Sequence, residues 1–555
     1  MRKNVKKQLA LRVLSTAALM AMVSSIATAA FADTYDLNTG SVTVETKDDG
    51  ITYVTQEDKT QSDGYARNDN NDILNEHPDS TGVTITSNGD PTSNTITVET
   101  AKDQTTDVTL KDVHMEVYTP DTKSGAIEIK GNGNTNLELN GDNTVLVENN
   151  WSEEHAAIEK ADTYGKEGTL TIKDDVNNDG SKKTGKDTDT TGTLLAGGYH
   201  DAAAIGGGEG EFANTSNIII TGGKITASGG TYGAGIGGGY AGDASNIRIE
   251  GNADVTAFGN SGAAIGSGYH SRGSSGSDIT ITDHATVTAA GLDGCGIGGG
   301  QDASGKVTIT ISGHASVNAQ TRNPPAAIGN DHSSTTVNIK DNADVTAVSD
   351  GVAIGTGYGY TNTSTVINIT GGTVNAVTRD DSRPAIGTVK GNLDLTINSS
   401  TGKTTVNTYT TSSDPLSLNI GTGHYDDSAN KYRTSPSEGA EYNEDGSSNL
   451  GESNAAVINF YRNTTLGTDT YNAPKTLDGS AFHATYEAYG TLYNAKYTLS
   501  DKDKGDLYKV VHNRKYMEEH PEIVDPSTLE NSDLHDWKLV GEVVEPTLEA
   551  DGYAD

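Results

Sequence analysis

Ile218-Ile219-Ile220-Thr221-Gly222-Gly223-Lys224-Ile225-Thr226-Ala227, followed by Gly233-Ala234-Gly235-Ile236-Gly237-Gly238-Gly239-Tyr240, decides the fold of this chain. It holds three short apolar runs separated by turn residues, and the pattern returns. Ile-Gly recurs at Ile205, Ile236, Ile265, Ile297, Ile328, Ile354, Ile386 and Ile420, with spacings of 31, 29, 32, 31, 26, 32 and 34. Upstream, Ala126-Ile127 and Ala157-Ile158 keep the register with a spacing of 31, and Glu stands where the Gly would be. Before each Ile-Gly lies an alternating run: Ile218-Ile219-Ile220, Ile247-Arg248-Ile249, Ile279-Thr280-Ile281, Ile309-Thr310-Ile311, Val337-Asn338-Ile339, Ile367-Asn368-Ile369. A third run follows a turn such as Glu250-Gly251-Asn252: Ile225-Thr226-Ala227, Val255-Thr256-Ala257, Val287-Thr288-Ala289, Val345-Thr346-Ala347. Alternating β-branched residues bounded by Gly, Asn and Asp read as short strands. A unit of about 30 residues cannot bury a face alone, whereas stacked units build one continuous apolar column. The expected fold is all-β: a parallel β-helix solenoid over residues 33–425, three strands per coil, about ten coils at ~4.8 Å each. A β-propeller, with four strands and about 40 residues per repeat, fits the count of three less well.

Composition bounds the function. The 555 residues carry 39 Lys+Arg against 76 Asp+Glu, a net charge of −37. Nucleic acid is a poor partner, because its affinity comes from Lys and Arg displacing counterions. Only 33% of residues are hydrophobic, which with this charge matches a disordered chain; the strict periodicity argues otherwise. One Cys excludes an internal disulfide. Residues 1–32 read as a signal peptide: Arg2, Lys3, Lys6, Lys7 and Arg12 precede an apolar stretch from Val13 to Ala29 and an Ala30-Phe31-Ala32 cleavage site. Cleavage leaves 34 Lys+Arg against 76 Asp+Glu, a charge of −42. No later apolar run is long enough to span a bilayer, so the mature chain is expected outside the cytoplasm, secreted or attached to the cell surface, with no transmembrane segment.

Two features point to ligands. One coil is lengthened: Ile172 to Ile205 spans 33 residues where 220 to 236 spans 16. Within it, Asp175-x-Asn177-x-Asp179-Gly180-Ser181 matches the first half of an EF-hand-like loop. Oxygens at positions 1, 3 and 5 converge on Ca2+, Gly permits the bend, and a carbonyl at position 7 adds a ligand. Position 12 is Lys186, with Asp187 one residue later. Ca2+ bound by Asp175, Asn177, Asp179, Ser181 and Asp187 and a plain polar loop are both open readings. The second feature is aromatic: Tyr240, Tyr269 and Tyr358 lie four residues after the repeat Ile and Tyr425 lies five after it. Projecting from one edge, they form either a platform for sugar rings or a structural aromatic ladder. His284 and His314 share a turn register with Asn252 and Asn342 and read as a hydrogen-bonding ladder. Cys295 stands in an alanine register and reads as a small buried hydrophobe.

The segments Asp36-Leu37-Asn38-Thr39-Gly40-Ser41-Val42-Thr43-Val44, Ile96-Thr97-Val98, Val108-Thr109-Leu110-Lys111-Asp112-Val113, Gly125-Ala126-Ile127-Glu128-Ile129 and the Gly-Ala-Gly-Ile-Gly-Gly-Gly repeats carry a resemblance. The chain resembles the right-handed β-helix proteins secreted by clostridia and related gut bacteria, including the carbohydrate-binding family that recognises cellulose and polygalacturonate. The resemblance covers roughly Thr34 to Tyr425 and implies a right-handed, pectate-lyase-like fold, with calcium in some members. The polygalacturonase-type blocks Asn-Thr-Asp, Gly-His-Gly and Arg-Ile-Lys are missing, and Arg322-Asn323-Pro324-Pro325-Ala326-Ala327 departs from the lyase Arg-x-Pro-x-x-Arg block at its last position. The expectation is a non-catalytic binder of an extracellular polysaccharide, a plant cell-wall or host glycan. A stalk or adhesin binding a protein and a pectate-lyase-like enzyme are the alternatives. Beyond Tyr425 the repeat stops. A polar linker (426–453), a small Tyr-rich C-terminal β domain (454–520; Val457-Ile458-Asn459-Phe460-Tyr461, then Tyr493, Ala495, Tyr497, Leu499) and a partial surface-protein module (521–555) are expected. In that module Leu548 stands where Cys is usual, and a wall-sorting signal is expected beyond Asp555 if at all.

Overall fold

The computed structural model describes residues 33–57, 77–79, 82–118, 124–148, 154–175, 192–272, 277–323, 325–357, 363–379, 383–389, 392–397, 404–410, 420–426, 431–434, 456–462 and 482–486. Three sheets of 13, 15 and 12 strands run along the molecule, and consecutive strands of one sheet come from successive coils. This is a right-handed parallel β-helix. Its repeating unit is a strand of the Ile-x-Ile type (Thr215–Ile220), one of the Val-x-Ala type (Lys224–Ser228) and a two-residue strand, Ile236–Gly237.

The register stacks like on like. Ile127, Ile158, Ile205, Ile236, Ile265, Ile297, Ile328, Ile354, Ile386 and Ile420 pair in succession, so the Glu-bearing coils upstream belong to the same column. Ile218, Ile247, Ile279, Ile309, Val337 and Ile367 form a second column. Ala227, Ala257, Ala289, Ala319, Ala347 and Ala376 line the third sheet. All three rows are buried. Full burial of an Ile contributes ~1.5–3 kcal/mol, so a chain with few apolar residues folds because nearly every repeat-position Ile and Val is spent on the core. Polar side chains also stack: Asn338 with Asn368 at 2.9 Å, Asn375 with Asn407 at 2.8 Å, and the His284 and His314 rings at 5.1 Å and 15°. The two histidines therefore meet by ring stacking, where their register suggested a hydrogen-bonding ladder. Cys295 is buried in the column, where burial pushes its thiol well above the ordinary value.

Antiparallel strands cover three of the six sheet ends. Thr52–Gln56 pairs with Val42–Thr46, and His77–Asp79 pairs with Thr52–Gln56. At the other end Lys431–Thr434 pairs with Ile420–Asp426, and Phe482–Tyr486 with Asn392–Ile397. These strands block growth at open sheet edges. Val457–Tyr461, expected to open a C-terminal β domain, lies in Ala456–Arg462, which pairs in parallel with Thr404–Thr410 and continues the third sheet. Residues 1–32, where a signal peptide is expected, most of the expected linker 426–453, the alternating Tyr493, Ala495, Tyr497 and Leu499, and residues 521–555, where a partial surface-protein module is expected, lie outside the described residues. Among the described residues, no helix is long and apolar enough to cross a membrane.

Candidate functional site

The chain doubles back at four successive Ile-Gly steps, from Ile205 to Ile297. The amide two residues before the Ile donates to the carbonyl two residues after it: Ala203 to Gly207, Ala234 to Gly238, Ala263 to Ser267 and Cys295 to Gly299, at 2.9 to 3.0 Å. The Gly between adopts φ of +138° at Gly206, +141° at Gly237, +139° at Gly266 and +131° at Gly298, a conformation open to glycine at little cost. A Cβ at Gly237 would overlap the Gly266 carbonyl oxygen one coil on. The bend begins at Ile205, where Gly replaces the Glu of the upstream coils.

Because of this bend, residues four before and four after Ile236 come together. Tyr232 and Tyr240 flank Ile236, and their rings lie 5.8 Å apart, edge to face. Tyr269, one coil on, stacks on Tyr232 at 5.1 Å and lies 5.9 Å from Tyr240. The backbone locks the two rows: the amides of Tyr240, Tyr269 and Gln301 donate to the carbonyls of Asp201, Tyr232 and Ser261 on the preceding coil, at 2.6, 2.9 and 2.8 Å. His200 extends the cluster, 5.0 Å from Tyr232, and His270 adjoins Tyr269 at 4.0 Å. Tyr240 is the exposed ring, at 37%. Tyr240 and Tyr269 thus meet, as their spacing implies. Tyr232 precedes Ile236 by four residues in the sequence, but its meeting with Tyr240 depends on the bend. Tyr358 lies outside the described residues, and Tyr425 is placed only as a backbone position in the strand Ile420–Asp426.

Two acidic-imidazole groups bracket the tyrosines. On one side, His200 Nδ1 lies 2.8 Å from Asp201 and 3.4 Å from Glu154. The Asp201 amide donates to Glu154. Burial, with the charges of Asp201 and Glu209, overcomes that hydrogen bond and pushes Glu154 up to about 7. At 3% exposure, Glu154 is closed to a bulky substrate, which makes it a poor catalytic acid. On the other side, Asp293, Gln301, Asp302, Asn323, Asp331 and His332 line a cavity of about 250 Å³. A third group, Glu128, His155 and Glu159, occupies the column where Glu replaces Gly. It is internally satisfied: Lys130 pairs with Glu128 at 2.8 Å, the Tyr164 hydroxyl donates to Glu128 at 3.1 Å, and His155 pairs with Glu159 at 2.9 Å.

Of the calcium-loop residues, Asp175 alone is described. Its carboxylate lies 3.3 Å from Lys173 and its amide donates to Glu138 at 2.7 Å. Asn177, Asp179, Ser181 and Asp187 lie outside the described residues.

A family described as "Beta helix repeat" matches residues 218–240, 247–269, 279–301 and 367–388. The matched segments lie within the coils of the parallel β-helix. The first three matched repeats each start at an Ile of the Ile-x-Ile strand and end four residues beyond the Ile of Ile-Gly, at Tyr240, Tyr269 and Gln301. No curated protein and no solved structure gives a significant match.

Proposed function

We propose that the protein is a secreted or cell-surface carbohydrate-binding β-helix that works without catalysis, its platform formed by Tyr232, Tyr240 and Tyr269. One observation carries this reading. Three tyrosines from two adjacent coils meet on one face, Tyr232 and Tyr269 bracing each other and Tyr240 presenting its exposed ring. Such a ring offers an apolar face for a sugar and a hydroxyl for its polar rim. The platform adjoins the polar cavity, since His270 Nε2 lies 3.9 Å from Asp302. For an anionic glycan, Ca2+ bridging through the 175–187 loop offsets repulsion from the acidic chain.

Retention on insoluble cellulose and polygalacturonate, with and without EDTA, tests this. Wild type is expected to be retained, and Tyr240→Ala to weaken retention roughly 2- to 12-fold, from ~0.5–1.5 kcal/mol per aromatic contact. No retention on either matrix redirects the reading to a protein-binding stalk or adhesin. Release of unsaturated uronides redirects it to a lyase.

A further inference from the structure

We propose that Asp302, Asp331 and His332 form a site for one transition-metal ion, Zn2+ in preference to Ca2+, in the cavity beside the tyrosines. The donors come from two successive coils, Asp302 following Ile297 and Asp331-His332 following Ile328. One ligand atom from each lies within 4.8 Å of the others. His332 Nδ1 is 2.8 Å from Asp331 Oδ2 and 3.8 Å from Asp302 Oδ1. Two ligands ~2.1 Å from a tetrahedral Zn2+ stand about 3.4 Å apart, between those two distances, so small side-chain shifts admit the ion.

An independent observation points the same way. Asp331 is 1% exposed, and its Oδ1 has no hydrogen-bond partner among the described residues. A buried carboxylate oxygen left unpaired costs free energy that a cation would recover. Its other oxygen is engaged, accepting the Asp302 amide at 3.0 Å. The ion pairs of Asp302 and Asp331 are with imidazoles, His270 and His332, unlike Glu128, which Lys130 already neutralises. An imidazole with two carboxylates suits Zn2+ and its neighbours, whereas Ca2+ takes oxygen ligands throughout. Three protein ligands leave a fourth position facing the cavity, where water or a ligand oxygen binds.

The test is equilibrium dialysis of the full, chelator-stripped chain against Zn2+ with elemental analysis, and a parallel Co2+ titration read by visible absorption. Wild type is expected to bind one more equivalent than the double variant Asp302→Asn/His332→Gln, and to keep its Zn2+ in a tenfold excess of Ca2+. Asp331→Asn alone is expected to weaken binding at least tenfold, since even outer-shell partners are worth roughly 10- to 100-fold. Circular dichroism confirms folding; Asp302 is the partly exposed member, so the single variant Asp302→Asn serves if others unfold. Equal stoichiometry and affinity in wild type and folded variants, or displacement by equimolar Ca2+, overturns the proposal. Glycan retention, read on the tyrosine variants, is a separate result.

Discussion

At the scale of single residues, Glu154 shows how burial rewrites chemistry. Its carboxyl rises from an ordinary 4.5 to about 7 in the folded chain. Between those values the folded state holds a proton that the unfolded state has released, so stability from this residue is full below pH 4.5 and is lost as pH rises through 7. Gln cannot ionise. Between pH 5 and pH 7.5 the melting temperature of wild type is therefore expected to fall further than that of Glu154→Gln; parallel profiles for the two proteins would remove the assignment. His332 is held above its ordinary value by a different balance: burial lowers it, and the hydrogen bond and charge of Asp331, helped by Asp302, more than compensate.

At the scale of the element, the bend around Ile-Gly is the device that makes the face. The bend needs a positive φ, and the next coil lies against the glycine, so Gly266→Ala meets both a strained conformation and the Gly298 carbonyl oxygen. It is expected to destabilise by more than about 1 kcal/mol, read as a lower denaturation midpoint, while Ala at the exposed position Asn252 leaves the midpoint within about 0.5 kcal/mol. The Ile spacing was readable in the chain because a solenoid repeats its register in every coil. The pairing of Tyr232 with Tyr240 was not read, because it depends on the direction of the bend, and the Ile-Gly pattern alone fits a straight strand equally well.

At the scale of the whole molecule, the charge of −37 sets which ligands approach. Without divalent ions, polygalacturonate is repelled, and salt shortens the reach of that repulsion to about 10 Å at 0.1 M and 3 Å at 1 M. Retention on polygalacturonate in EDTA is expected to rise between 0.02 and 0.5 M NaCl, estimated from that screening, whereas retention on neutral cellulose stays flat. A fall with salt on polygalacturonate would mean a local basic site outweighs the global charge. Stability at this scale is a sum over neighbouring coils, so antiparallel strands at the sheet ends matter out of proportion to their length.

The sequence by itself determined the coil. Apolar residues at three fixed positions per thirty, with Gly, Asn and Asp between them, have one economical burial, by stacking, and the register of Ile127 to Ile420 follows. The burial of Cys295 and the shared register of His284 and His314 were legible for the same reason, since stacked coils repeat their positions, whereas the ring stacking of the two histidines was not. The repeat spacing implied that Tyr240 and Tyr269 meet, and tertiary structure decided which other side chains join their surface. Asp302 lies 29 positions before Asp331 and 30 before His332, one coil away, and no motif joins them; the ~4.8 Å step between rungs and the doubled-back bend bring them into one cavity beside the tyrosines.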